Sequence, residues 1–285
     1  MLTTDKNGQA ILAPEQVESL LILPLIDQSV TAQVATVTQT DAPSVRFPKW
    51  VSDPTVSWTA EGDEINQSEP DLDEVNVHFS KTAGLFVCSR ELFDDANIEA
   101  VNEIGNGLVR QMANSIDAAM FAAKPLPEPA QPGLASTTPV DIDGATDSLD
   151  PFFEAQSIAE GEGMQVDTFV CHPTTALNIA TLKESSNSNR GLLQPDATLP
   201  GVRTIGGTPL LVSKHVEPGV VWSIPKPAVR LVIRKDAEVI ASDQAYFSSD
   251  RIAIRGTMRV GIAHLAPQAI TRITMTDDGS AEGNE

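Results

Sequence analysis

Cys171 and His172 are neighbours, and a thiol beside an imidazole could in principle supply a nucleophile and its base. Their adjacency argues against that use. Successive strand residues point to opposite faces, so the two side chains would not meet. A buried cysteine at the end of a strand is the reading adopted. The four histidines, His78, His172, His215 and His264, show neither HxxxH nor HExxH spacing, so no metal site is expected. The glycines of 201–207 lack both the GxGxxG pattern and the lysine of a phosphate-binding loop, so no nucleotide cofactor is expected. No catalytic residue, metal or cofactor is assigned.

The remaining chemistry is charge. Residues 50–80 hold Asp53, Glu61, Asp63, Glu64, Glu69, Asp71, Asp73 and Glu74, with no Lys or Arg. Their spacing does not match a calcium loop, and a solvated acidic face is the plainer reading. Residues 226–272 carry Lys226, Arg230, Arg234, Lys235, Arg251, Arg255, Arg259 and Arg272 against four acids, a local +4 in a chain of net charge −20. Opposite patches on one molecule permit head-to-tail association of copies. Two uses of the arginines stay open: pairing within their own subunit, or pairing with another copy.

These groups need elements to hold them. The chain has 285 residues, enough for one or two domains with a real core. Its 41% hydrophobic content and mean hydropathy of −0.08 exclude a wholly disordered or membrane-embedded chain. The longest apolar run, 20–26, contains Pro24 and is too short to span a bilayer. A pI near 4.4 disfavours tight binding to nucleic acid or anionic membranes. No signal peptide is evident, and two cysteines fit a reduced compartment without disulfides.

Residues 14–23 read as a short helix and 30–38 and 44–47 as strands. Thr55 to Thr59 and the alternating Val75, Val77 and Phe79 read as the arms of a long β-hairpin with an acidic tip. Two strands bury too little to stand alone, so this hairpin needs a surface outside itself. Ser89 can cap a helical turn through Phe93. Ile98, Val101, Ile104, Leu108, Met112, Ile116 and Met120 predict a long helix over 98–123. Five prolines make 124–139 read as a linker. An α/β stretch follows, with helices over 152–159 and 174–182, strands over 166–171, 210–213 and 220–224, and a polar loop over 184–207. The last part is β-rich: 228–240 holds two strands and 269–275 a final one. Over 251–262, Ile252, Ile254, Met258, Val260 and Ile262 face one way and Arg251, Arg255, Thr257 and Arg259 the other.

This order of elements resembles the major capsid protein of tailed double-stranded DNA phages, an α+β fold shared with encapsulins and the floor of herpesvirus capsids. The residues that carry the resemblance are Trp58-Thr-Ala-Glu61-Gly62, Lys81, Val87-Cys-Ser-Arg-Glu-Leu92, the long helix, His172-Pro173, Gly207-Thr-Pro-Leu-Leu-Val-Ser213, 247–262 and 267–273. No single motif is specific; their order and spacing are.

The resemblance implies a set of parts. Residues 1–35 would be an N-terminal arm reaching onto a neighbour. Residues 50–82 would be an extended loop lying over the adjacent subunit. Residues 36–49, 83–125 and 227–276 would form a peripheral domain around a spine helix, 126–226 an axial domain, and 277–285 an acidic tail. The implied function is a self-assembling subunit of the icosahedral shell around a phage or prophage genome, with an encapsulin-like cargo compartment as the alternative. The implied partners are further copies in pentamers and hexamers; a separate scaffolding protein, a portal and a decoration protein are also admitted. DNA would be enclosed without sequence-specific binding, and no membrane is involved. The expected location is the virion, assembled in the host bacterial cytoplasm. Some relatives join a loop lysine to a peripheral asparagine; 50–80 has no Lys and 239–281 neither Asn nor Glu, so no such crosslink is expected. The expected interface residues are Trp58, Glu61, Asp63, Glu64, Glu69, Asp71, Asp73 and Glu74 on the loop, and Arg251, Arg255 and Arg259 on the facing strand.

Overall fold

The computed structural model describes residues 3–4, 10–11, 23–52, 56, 58–59, 62, 71–89, 98–145, 148–183, 191–193, 203–234 and 238–276. The first strands are β1 (Thr3–Thr4) and β2 (Ala10–Ile11), followed by helices α1 (Leu23–Gln28) and α2 (Val30–Val34). Next come β3 (Thr36–Thr40), β4 (Ser44–Ser52), β5 (Asp71–His78), β6 (Ser80–Ser89) and the 24-residue helix α3 (Ile98–Phe121). The middle of the chain gives β7 (Val140–Ala145), α4 (Asp150–Gly161), β8 (Thr168–Cys171), α5 (Pro173–Thr181), β9 (Thr204–Ile205), β10 (Thr208–Val212) and β11 (Val220–Ile224). The last strands are β12 (Val229–Arg234), β13 (Glu238–Tyr246), β14 (Arg251–His264) and β15 (Thr271–Thr276). No described helix is long and apolar enough to cross a membrane.

The strands form two large sheets and one small one. The first runs β1-β2-β13-β14-β12-β3, with β6 on the other side of β14. The second runs β7-β15-β11-β8-β10-β9. β4 and β5 pair only with each other among the described strands. The second sheet is covered on both faces. Val170, Trp222 and Ile224 join one core with α3, while Phe169, Cys171 and Val221 join another with α4 and α5. That double burial is why β8 and β11 read as unbroken apolar runs rather than alternating ones. In the second core Phe152 meets Phe169 edge to face, with ring centroids 5.1 Å apart.

α3 is the spine, about 36 Å long at 1.5 Å per residue. Val109, Met112, Ile116 and Met120 are buried against Leu231, Met258, Val260 and Ile262 of the first sheet. Gly84 and Gly256 sit opposite each other in the β6–β14 ladder. A Cβ on Gly84 would overlap Leu108 Cδ1, and one on Gly256 would overlap Leu108 Cδ2 and stand 2.9 Å from Met112 Cε. The paired glycines thus let the spine lie close against the sheet.

The N-terminal helices are tied to the spine by one buried carboxylate. Asp117 accepts hydrogen bonds from Ser29 Oγ (2.7 Å), Val30 N (3.0 Å) and Thr31 N (2.9 Å). Ser29 in turn caps α2 by accepting from Ala32 N at 3.3 Å. This arrangement overturns the strand expected over 30–38. The β-branched residues there favour a strand, but the cap and the burial of Thr31, Ala32 and Val34 against the spine favour a helix up to Val34. The strand begins at Thr36.

Three other expectations change. The hairpin arms are 44–52 and 71–78, and Val56, Trp58 and Thr59 lie outside any strand. Part of the Pro-rich segment 124–139 is built into the fold. Leu134 is fully buried, and Gln131 is buried while bonding to three partners. The final strand, expected with the segment 227–276, lies instead in the second sheet, between β7 and β11. The helix expected over 14–23, apart from Leu23, and the turn from Ser89 through Phe93 fall outside the described residues.

Replacing Asp117 with Ala leaves a buried hydroxyl and two backbone N–H groups without their acceptor. We expect a loss of about 3 kcal/mol in subunit stability by urea titration, recovered only in part by Asp117→Asn, whose amide oxygen can still accept from Ser29 and Thr31 but whose NH2 cannot accept from Val30 N. An unchanged midpoint in the Ala variant would exclude Asp117 as the tie between the N-terminal helices and the spine.

Candidate subunit interface

β14 and β6 pair without interruption over ten residues, from Arg251↔Ser89 to Val260↔Ser80. Alternation gives this ladder two unlike faces. The even positions of β14 face the spine. The odd positions carry Arg251, Arg255 and Arg259, opposite Ser89, Leu85 and Lys81. Arg251 and Arg255 are exposed and Arg259 is half-buried. Between them Ala253 and Thr257 are small and buried. The result is a row of guanidinium groups spaced about 14 Å apart along the strand, at 3.4 Å per residue. Beside the row, Leu85 on β6 is 59% exposed.

The wider basic segment is not one patch. Arg230 stacks over Phe47, with its guanidinium carbon 5.9 Å from the ring centre. Arg272 lies in the second sheet, 3.9 Å from Glu217. The arginine row of β14 is the part that faces outward as a set.

The hairpin starts from a firm root. Val45, Phe47 and Val75 pack around the buried Val77, which joins Val232 and Ala263 of the first sheet. The root thus has the surface outside the hairpin that its two strands need. Gln131 secures the junction. Its side-chain amide donates to His78 O (3.1 Å) and Ser80 Oγ (2.6 Å), and its carbonyl accepts from Ile262 N (3.0 Å). Beyond the root the hairpin turns acidic. Asp73 stands opposite Lys49 and Glu74 opposite Pro48, both acids exposed; Asp71 stands opposite Ser52. Glu74 reaches Arg46 of the same hairpin at 3.4 Å, with both side chains mostly in water, so this pair adds little. Trp58 and Val56 are fully solvent-exposed, two large apolar side chains given to water. Glu61, Asp63, Glu64 and Glu69 lie outside the described residues. The hairpin meets β14 at Gly261, past the end of the arginine row, where Val77 and His78 O crowd it.

Two of these features escaped the sequence. Gln131 sits in a Pro-rich stretch whose composition says linker, and nothing local marks it. Asp117 had a readable signal: a polar residue beside the apolar stripe of the spine, with Ser29-Val30-Thr31 upstream as a cap needing an acceptor.

The cysteine and histidine pair has a structural explanation. Cys171 is fully buried between two sheet neighbours, and burial pushes its thiol up to about 12, against a smaller lowering by Arg203. His172 turns away and caps α5, its Nδ1 accepting from Thr174 N at 3.2 Å. Among the described residues, no three His, Cys, Asp or Glu side chains gather in a metal-binding group. The folded thiol holds its proton to higher pH than the unfolded one, so stability from this group is intact at neutral pH and falls as pH rises from about 9 toward 12. We expect Cys171 to resist a thiol reagent at pH 8 in the folded chain and to react after denaturation. Rapid labelling of native Cys171 would contradict its buried, protonated state.

Comparison with known proteins agrees with this architecture. The model of the Phage capsid family matches residues 9–275. No curated protein sequence matches. Among solved structures, the capsid of an empty GTA particle computed with C5 symmetry superposes with a TM-score of 0.72 at 16% identity, covering 87% of this chain and 90% of the other. Microbacterium phage Oxtober96 gives 0.68 at 17% identity, covering 88% and 91%. Mycobacterium phage Adephagia gives 0.68 at 15%, covering 87% and 90%. At these identities the structures speak for the fold, and they do not favour the cargo-compartment alternative. With the family match spanning nearly all of the sequence, the chain belongs to the phage capsid family and is a shell-forming structural subunit.

Proposed function

We propose that copies of this chain close, through pentamers and hexamers, into the icosahedral shell that encloses the double-stranded DNA of a tailed phage or prophage. The acidic hairpin of one copy lies against the β6–β14 ladder of the next, where its carboxylates meet Arg251, Arg255 and Arg259. The outward row of arginines beside an acidic projection is the observation that carries this reading. Trp58 supplies an apolar anchor near the hairpin tip. The first sheet with its spine serves as the peripheral domain, the second sheet with α4 and α5 as the axial domain around the symmetry centres, and the segment before α1 as the arm. Further partners in this reading are a separate scaffolding protein, a portal and a decoration protein, with assembly in the host cytoplasm.

The net charge of −20 suits such a container. A wall that gripped phosphate would impede packing and release, and an acidic wall holds DNA weakly and without sequence preference. Each exposed ion pair contributes about 0–1 kcal/mol, but every subunit repeats the contact, and closure makes the set cooperative. No catalytic step enters this function.

Arg255→Glu with Arg259→Glu replaces attraction by repulsion. We expect at least about a tenfold rise in the protein concentration needed for shells, which corresponds to about 1.4 kcal/mol per contact. The unassembled subunit should stay folded, with a cooperative melting transition. Arg251→Glu, at an exposed position, should shift assembly in the same direction. Normal shells from all these variants, seen by light scattering and negative-stain microscopy, would refute the contact.

A further inference from the structure

The first sheet has three end strands, β1, β3 and β6. On the β13 side, β2 adds to the edge, pairing Ile11 with Ile240 and Ala10 with Ala241. β6 pairs with β14 alone, and among the described residues nothing pairs with its outer edge. That edge lacks the usual protection. β6 is ten residues long, has a continuous register without a bulge, contains no proline and carries one charge, Lys81. Leu85 and Phe86, on opposite faces, are 59% and 37% exposed.

A second open edge lies in the hairpin. β4 holds Pro48, a residue that sheets confine to edge strands, so its outer side is a poor template. β5 has no proline, and its far half carries Asp71, Asp73 and Glu74. Acidic β5 and basic-flanked β6 therefore offer complementary unpaired edges.

They cannot pair within one chain. A single residue, Phe79, separates the end of β5 from the start of β6, whereas the tightest common hairpin needs two. Gln131 also bonds to both sides of that junction and to β14, which holds the two strands in sequence rather than side by side.

We propose that the outer edge of β6 receives Asp71–Val75 of a second copy as an added strand, giving a sheet continuous between subunits. This rests on the shell-forming reading above and specifies how its hairpin contact is made. Main-chain hydrogen bonds supply the adhesion, and the arginine row, one strand further in, selects the acidic strand over others.

The test co-assembles two populations of full-length chain. One carries Asp73→Cys. The other carries one added cysteine at Lys81, Thr82, Ala83 or Leu85, the native Cys88 and Cys171 being buried. Shells are oxidised and linked peptides identified by mass spectrometry. Strand pairing brings cross-strand Cβ atoms within disulfide range at alternate positions, so linkage to Asp73→Cys should alternate along β6, with roughly tenfold more product at favoured sites than at their neighbours. Unsubstituted shells of mixed isotopic labelling give a second reading: a zero-length carbodiimide should join Lys81 of one copy to Asp71, Asp73 or Glu74 of another. Shells that form normally but give neither product, or equal linkage at successive β6 positions, would overturn strand addition while leaving the shell reading intact. Failure of the parent chain to form shells both alone and with its scaffolding protein would overturn that reading, and this inference with it.

Discussion

Phe79 is the whole connection between β5 and β6, and that brevity governs how this molecule can satisfy itself. Two strands joined by one residue cannot fold back onto each other, so each keeps an open edge. Gln131 then spends its side chain on the junction, bonding to the residue before it, the residue after it and the strand alongside. The hairpin therefore leaves the body at a set position and cannot return to the ladder it grew from. A chain with this constraint has surfaces that another chain must complete.

The rest of the fold keeps the constraint rigid. The spine presses against the sheet through the space left by Gly84 and Gly256, which fixes β6 and β14 as a pair. Met112, Ile116 and Met120 fill the gap behind that ladder with close-packed apolar atoms. Asp117 fastens the N-terminal helices to the other side of the spine. The face of β14 turned away from the spine is left to long cationic side chains. In the proposed contact, electrostatics selects the partner there, and backbone pairing and apolar contact hold it. That division fits subunits whose single contacts must be weak enough to correct mistakes and numerous enough to last once a shell closes.

What could be read from the sequence follows from how local each signal was. The spine was legible because one apolar stripe repeats over seven turns. β14 was legible because its arginines and aliphatic residues alternate without a break. The hairpin was legible as an acidic, turn-rich stretch between strands, but its arms were misplaced: Val45 and Phe47 pack with Val75 and Val77 across the hairpin, a pattern hidden by Pro48 and Lys49. Val30 to Val34 misled because β-branched residues favour strands until a cap and a buried acceptor 87 residues away intervene. Gln131 and the buried Leu134 were invisible in a proline-rich stretch, since their partners lie on strands far away in sequence. The charged residues proposed for the interface come from contrast between two segments, a comparison that needs no fold. The neutral edge of β6 needed the sheet topology.

The most direct measurement is a cryo-electron microscopy map of the assembled shell at a resolution that traces individual strands. The account predicts the acidic half of each β5 about 5 Å from the β6 of a neighbouring copy, in strand register, with the arginine row of that neighbour turned toward its carboxylates. A map in which the hairpin rests on its own subunit, or on a surface of the neighbour away from β6 and β14, would contradict it.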